Sequence, residues 1–174
     1  MKKLFMNMPK LSPLPTQIKK KNGLSKVLYW QGFIRRWTLL EDWTFQLPND
    51  KTVIIIPKGF EFDGVSIPRP LHWFLSPTGV LFIPGLIHDF AYRYDYLWAF
   101  NDEGKFYQYK KDSGRYYWDS MFRCLGLSLN GMKGLNRFAR IILFIFGRFS
   151  WKKNRRRNAT EIKPSLVLTY AENI

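Results

Sequence analysis

The chain has 174 residues, of which 46% are hydrophobic and 18% aromatic. This length suits one domain with a sizeable core, and the composition excludes disorder as a description of its body. The single cysteine, Cys124, excludes an intrachain disulfide and a cysteine-based zinc site, which is typical of a protein that folds in a reducing compartment.

The formal net charge of +15 is unevenly distributed along the chain. Residues 1–40 carry nine basic and no acidic side chains, residues 41–119 carry eight basic and eleven acidic, and residues 120–174 carry eleven basic and two acidic. Cationic ends favour a polyanionic neighbour, which could be a nucleic-acid backbone, an anionic membrane surface or an acidic protein. The alternative is that these charges only keep the surface solvated.

We expect three parts: a basic N-terminal arm at 1–36, one globular domain at 37–150 and a basic C-terminal tail at 151–174. The arm contains Pro9, Pro13 and Pro15, which exclude a helix there. No sustained apolar run precedes Pro9, so a signal peptide is not expected and the chain is expected in the cytoplasm of the cell that makes it.

The globular part begins with strand-forming composition. Residues 37–47 predict a strand, 48–51 a turn, and 52–56, with three consecutive isoleucines, a buried second strand, so the pair predicts a β-hairpin. Residues 60–84 have little periodicity, several prolines and many aromatics, which predicts a long ordered loop.

Apolar periodicity then predicts three helices, at 85–98, 113–126 (with Ser113 as N-cap) and 133–150. The fold class is therefore α+β: a small antiparallel β-hairpin or sheet, a long ordered loop and a three-helix bundle. The third helix is expected to bury one stripe, which consists of Leu135, Phe138, Ile142, Ile145 and Phe149. Its apolar run at 141–146 is too short to span a bilayer, so it is either a core helix or a helix lying at an anionic interface.

The first predicted helix carries the most informative polar group, His88 next to Asp89, with Tyr92 one turn further on. A carboxylate from the second helix, which we assign to Asp119, could reach the imidazole, fix its tautomer and leave the other nitrogen to activate water. His88, Tyr92 and Asp119 are therefore the candidate catalytic residues. The alternative is a core histidine that Asp119 anchors through a hydrogen bond.

Asp89 and Asp63 are the candidate metal ligands. Together with loop carbonyls they would suit a hard cation, Ca²⁺ or another divalent ion, more than zinc. Asp95, a further turn along, could replace either carboxylate. The alternative for Asp63 is a turn in which it caps the backbone and Gly64 supplies a positive φ. No organic cofactor is indicated.

The spaced residues Gly59-Phe60-x-x-Asp63-x-x-Ser66-Ile67-Pro68, then His88-Asp89-x-x-Tyr92, then Asp119 resemble an uncharacterised domain family of tailed phages and prophages, over residues 37–150. The resemblance implies a phage origin without implying a reaction. It also implies synthesis in the host cytoplasm, with association to the virion as a further expectation.

The His88-Asp89-x-x-Tyr92 helix with Asp119 opposite is also similar to the core of secretory-type phospholipases of the A-two class. That similarity implies His88 as the base for a water, Asp89 as a Ca²⁺ ligand, and Asp119 and Tyr92 as residues that orient His88. The chain departs from those enzymes in having residues 62–66 where they have a glycine-rich calcium loop, and in lacking their disulfides.

Two functions follow from these patterns. The first is a phage-encoded protein with a metal-assisted hydrolase-type site, acting on ester or amide bonds of a lipid or of the cell envelope. The second is a non-catalytic virion or accessory protein whose basic arms dock on DNA, a membrane or neighbouring virion proteins. In the second case the same polar cluster would serve as a structural core.

Overall fold

The computed structural model describes residues 8–14, 36–48, 52–62, 79–101, 103–157 and 159–165. Within these ranges the chain forms seven short strands and three helices, an α+β arrangement as predicted from the sequence. The strands are β1 (Leu11–Pro13), β2 (Trp37–Leu39), β3 (Trp43–Gln46), β4 (Val53–Ile56), β5 (Glu61–Phe62), β6 (Leu97–Phe100) and β7 (Phe106–Tyr109). The helices are α1 (Phe82–Tyr94), α2 (Arg115–Asn130) and α3 (Lys133–Arg157).

The strands form two antiparallel sheets, one of order β1-β2-β5 and one of order β3-β4-β6-β7. The predicted hairpin is the β3–β4 pair, in which Trp43 lies opposite Ile56 and Gln46 opposite Val53. Because β4 lies between β3 and β6, its three isoleucines are fully buried, as expected for an apolar run inside a sheet. The core joins this sheet to the apolar side of α1.

The predicted strand at 37–47 is two strands, β2 and β3, which belong to different sheets. The break falls at residues 40–42, where the chain leaves the first sheet. There Asp42 accepts the backbone N–H of Lys58 at 2.6 Å and that of Ser165 also at 2.6 Å. Residues 39–42 contain no β-branched or aromatic side chain, and the acidic pair Glu41-Asp42 was the signal that could have indicated this break.

The first helix was expected to run to Trp98, but α1 ends at Tyr94 and Trp98 lies in β6. Asp95 ends the helix with φ of 60°, in the left-handed region, and Leu97–Phe100 then pairs with β4 and β7. A short apolar run that is buried on both faces has the same pattern in a strand as in a helix, which explains the error.

The helix starts also differ from the predicted ones. The α1 helix begins at Phe82 and contains Pro84 in its first turn, where a missing N–H costs nothing. Gly114, rather than Ser113, occupies the N-cap position of α2, and Gly131 follows its last residue in the left-handed conformation that ends many helices.

The third helix is longer than predicted and shows a different face to the core. The buried residues of α3 include Asn136, Ala139, Ile142 and Leu143, whereas the predicted core residues Phe138, Ile145 and Phe149 are exposed. Residues 141–146 are apolar all around the helix, so periodicity alone could not choose the buried side.

Residues 159–165, which were expected to belong to a tail, lie against the four-stranded sheet. Trp98 Nε1 donates to the carbonyl of Ile162 at 3.0 Å, and the Tyr96 hydroxyl donates to Glu161 Oε1 at 2.8 Å. Most of the predicted arm and most of the predicted 60–84 loop lie outside the described residues. Among the helices that the structure describes, none is both long and apolar enough to cross a membrane.

Candidate functional site

Two neighbouring helices bring the predicted histidine and carboxylate together. His88 lies in the middle of α1 and Asp119 in the second turn of α2, and both side chains are buried. His88 Nε2 lies 3.1 Å from Asp119 Oδ1, which is hydrogen-bonding distance. The contact predicted between the two helices is therefore present, while its catalytic role stays a prediction.

Tyr92 completes this cluster. Four residues after His88 on the same helix face, its hydroxyl donates a short hydrogen bond to the same oxygen, Oδ1 of Asp119. The Tyr92 ring also packs on the imidazole, with 3.9 Å between the ring centroids, and Phe122 packs edge-on at 5.4 Å. The His88 ring is thus fixed on two sides by aromatic contacts and on a third by the carboxylate.

The electrostatics of this group favour a neutral imidazole. Burial lowers the pKa of His88 from its ordinary value, and the hydrogen bond and charge of Asp119 oppose this only in part. Since a carboxylate oxygen accepts, His88 Nε2 carries the proton and donates it, which leaves the lone pair on Nδ1. Burial and the Asp119 charge raise the pKa of Tyr92, so its hydroxyl stays protonated and donates.

Arg115 also belongs to the site, although it was not predicted from the sequence. It precedes Asp119 by one helical turn, and its Nη1 lies 3.6 Å from Asp119 Oδ2. The same Nη1 donates to the carbonyls of Leu143 at 3.2 Å and Phe144 at 3.0 Å in α3. The spacing of four residues on a predicted helix was the signal that could have indicated this pair.

A cavity of about 150 Å³ lies beside the cluster, between α1 and α3. His88, Asp89 and Tyr92 line one side, and residues of α3 line the other. The α3 residues are Ile142, Leu143, Phe146, Gly147, Ser150, Lys153 and Asn154. This volume has room for about five water molecules, so a water and a small reacting group could be held next to the imidazole.

The predicted metal ligands are only partly described. Asp89 is half-buried and lines the cavity, whereas Asp63 lies outside the described residues. Within the part of the chain that the structure describes, no three His, Cys, Asp or Glu side chains are grouped so that they could hold a metal ion. Ca²⁺ takes about six to eight oxygen ligands, so a cation at Asp89 would need further oxygens, such as backbone carbonyls.

Asp95, which was predicted as a replacement for either carboxylate, accepts hydrogen bonds where α1 ends and α2 begins. Its Oδ1 accepts the backbone N–H of Gly114 at 3.0 Å and the indole N–H of Trp118 at 2.7 Å. These bonds tie the end of α1 to the beginning of α2. Asp95 thus helps to position the two helices that carry His88 and Asp119.

The fold and the cluster define an α+β domain in which two helices share a buried His–Asp–Tyr group beside a small cavity. Residues 37–125 match the model of a family described as "Protein of unknown function (DUF1353)". The match covers about half of the chain, including His88, Tyr92 and Asp119, and the chain belongs to this family. No curated protein and no solved structure matches the chain.

Proposed function

We propose that this protein hydrolyses an ester or amide bond with His88 as the general base. The observation that carries the proposal is the 3.1 Å contact between His88 Nε2 and Asp119 Oδ1 at the edge of a cavity that His88 lines. A buried, neutral histidine oriented by a carboxylate is the arrangement that general-base catalysis requires.

In this mechanism a water in the cavity attacks the carbonyl carbon while its proton moves to Nδ1 of His88. Asp119 then stabilises the imidazolium, and Tyr92 keeps the carboxylate in position. The same proton passes from His88 to the leaving group when the carbon–oxygen or carbon–nitrogen bond breaks. Lys153 and Asn154 line the cavity and carry N–H donors that suit the developing oxyanion.

A bound Ca²⁺ would supply further positive charge for the oxyanion. Asp89 and Asp63 are the side chains that we propose for it, as the phospholipase similarity implies. Asp63 lies outside the described residues, so the cation is a separate part of the proposal. If EDTA does not change the rate of hydrolysis, the cation is excluded from the mechanism and the role of His88 as base is retained.

The substrate class and origin follow from the two sequence resemblances. The similarity to secretory-type phospholipases supports an ester or amide of a lipid or of the cell envelope as substrate. The spaced motif from Gly59 to Asp119 supports a phage-encoded protein. The substrate class and the phage origin are both proposals, because the DUF1353 match gives the family without an activity.

The test is hydrolysis of 4-nitrophenyl esters and of a fluorogenic phospholipid, measured with EDTA and with Ca²⁺. We expect His88→Gln to reduce the rate by about 100-fold or more. Tyr92→Phe should reduce it by roughly tenfold, whereas Tyr107→Phe, which removes an exposed hydroxyl, should have no effect. The wild-type rate should rise with pH through a midpoint below 6.5, because the pKa of His88 is lowered.

The alternative function is non-catalytic, as a virion or accessory protein. It is favoured by the way Arg115 links the Asp119 cluster to the carbonyls of Leu143 and Phe144, because such links give a rigid three-helix core. In that case folded wild-type protein would hydrolyse none of these substrates with or without Ca²⁺. His88→Gln would then change only the free energy of unfolding.

A further inference from the structure

One side of α3 exposes a row of large apolar side chains. We call Phe138, Ile141, Phe144, Ile145 and Phe149 the outer face of α3; they are between 43% and 75% exposed. Isolated exposed apolar residues are common on proteins, but a contiguous apolar row along one helix indicates a surface that meets another partner.

This row is surrounded by positive charge. The α3 helix contains nine Lys or Arg residues and no Asp or Glu. Arg137 precedes Ile141 by one helical turn and Arg140 precedes it directly, while Arg148 precedes Phe149. A helix that combines exposed apolar side chains with many cations has the composition of helices that lie in an anionic membrane interface.

A depression between α2 and α3 combines the same two chemical features at one place. Its volume is about 510 Å³, and Arg123, Arg137, Arg140, Ile141 and Phe144 line it. Arg123 Nε is buried and has no hydrogen-bond partner among the described residues. Three guanidinium groups suit the oxygens of a phosphate, and the adjacent isoleucine and phenylalanine suit the apolar part of the same molecule.

We propose that the outer face of α3 docks on an anionic phospholipid surface, with a lipid phosphate held by Arg123, Arg137 and Arg140. Nucleic acid would use the cations but would leave the exposed aliphatic side chains Ile141 and Ile145 in water. A second copy of the chain docked through the same face would bring Arg137, Arg140 and Arg148 of one α3 near the same cations of the other. Anionic lipid complements both the charge and the apolar row.

The docking surface is next to the cavity of the candidate site. Phe146, which follows Phe144 and Ile145 on α3, is half exposed and lines the cavity that holds His88. A protein lying on lipid through α3 would therefore have this cavity close to the interface. The docking itself does not rest on the proposed hydrolysis, since an inactive protein would bind lipid by the same contacts.

The test is co-sedimentation of the full chain with vesicles of phosphatidylcholine alone and of phosphatidylcholine with 30% phosphatidylglycerol. Two double variants probe the surface, Ile141→Ser with Phe144→Ser and Arg137→Gln with Arg140→Gln. We expect wild type to bind only the anionic vesicles, and each double variant to bind them roughly tenfold more weakly or worse. His88→Gln should bind as wild type does, which separates docking from hydrolysis.

Matched control variants remove side chains of the same kinds from surfaces outside α3. Leu40→Ser with Val80→Ser removes two apolar side chains of similar exposure, and Lys58→Gln with Lys105→Gln removes two exposed charges. Controls that bind as wild type does would support the surface. The proposal is overturned if the controls weaken binding as much as the probes, if neutral vesicles bind equally, or if wild type binds no vesicles. It is likewise overturned if the α3 variants instead abolish a dimer or duplex DNA binding.

Discussion

The hydroxyl of Tyr92 occupies the space that a side chain at Gly147 would need. A Cβ atom built on Gly147 would lie 2.6 Å from Tyr92 Oη and 3.4 Å from Arg115 Nη1. Glycine at this position therefore lets α3 approach the cluster of His88, Tyr92 and Asp119 closely. The contact couples the packing of α3, all of which lies outside the DUF1353 match, to the candidate site.

We predict that Gly147→Ala destabilises the protein by about 1–3 kcal/mol, because Tyr92 is buried and held by Asp119 and cannot move freely away from the new methyl group. In Gly134→Ala, on the same helix, the added Cβ meets nothing within 4 Å. That control should gain about 0.5 kcal/mol from its lower unfolded-state entropy. Urea unfolding measures both, and equal effects of the two substitutions would contradict the close contact.

The buried carboxylate of Asp119 should contribute strongly to stability. Asp119→Asn keeps one acceptor oxygen but loses the charge that strengthens the bonds from His88 and Tyr92, so we expect a loss of about 2 kcal/mol in the free energy of unfolding. Asp119→Ala leaves both donors without an acceptor and should cost about 3 kcal/mol or more.

The control for this pair is Asp112→Asn, because Asp112 is exposed and asparagine tolerates its φ of 58°. It should change the free energy of unfolding by less than about 0.5 kcal/mol. If Asp119→Asn behaves like this control in chemical denaturation, the buried hydrogen bonds do not stabilise the fold as argued.

The contact between His88 and Asp119 could be predicted because helical spacing and polarity are local properties of the sequence. A carboxylate in an aromatic segment needs a partner when it is buried, and His88 was one of only two histidines in the chain. Tyr92 could be assigned to the same cluster because it lies one helical turn after His88. The β3–β4 hairpin was predictable for the same reason, since turn residues separate two strand-forming runs.

The parts that could not be predicted depend on tertiary packing. Leu97–Phe100 is apolar at every position, and only its pairing with β4 and β7 makes it a strand. The buried side of α3 depends on glycines, since Gly126 and Gly147 have no room for a side chain beside Asn136 and Tyr92. Hydrophobic periodicity gives a glycine little weight, so the predicted face was right for Ile142 and wrong for Phe138, Ile145 and Phe149.

Asp95 offers a test of the joint between α1 and α2. Asp95→Ala removes the acceptor for Gly114 N–H and Trp118 Nε1–H, and alanine tolerates a φ of 60° less well than aspartate, so we expect a loss of about 3 kcal/mol. Asp95→Gly removes the same acceptor, but glycine adopts this φ without strain. Its loss in the free energy of unfolding should therefore be roughly 1 kcal/mol smaller. If denaturant unfolding shows that Asp95→Gly has a lower free energy of unfolding than Asp95→Ala, the left-handed conformation at the end of α1 is contradicted.

The pH dependence of stability should identify the protonation state of His88. The unfolded chain binds a proton near the ordinary pKa of 6.5, whereas burial lowers the pKa of His88 in the folded protein. Between the lowered value and 6.5 the unfolded state therefore holds more protons than the folded state. The free energy of unfolding should then fall as the pH is lowered from 7 towards 5, by up to about 1.4 kcal/mol per pH unit.

His88→Gln provides the reference, because it removes this titration and leaves the other titratable groups, including His72, in place. The difference in unfolding free energy between wild type and variant should be constant above pH 7 and shrink on acidification. A difference that grows as the pH falls would mean that the charge of Asp119 outweighs burial and raises the pKa of His88. In that case the histidine would be charged below neutral pH and would be a poor base for water.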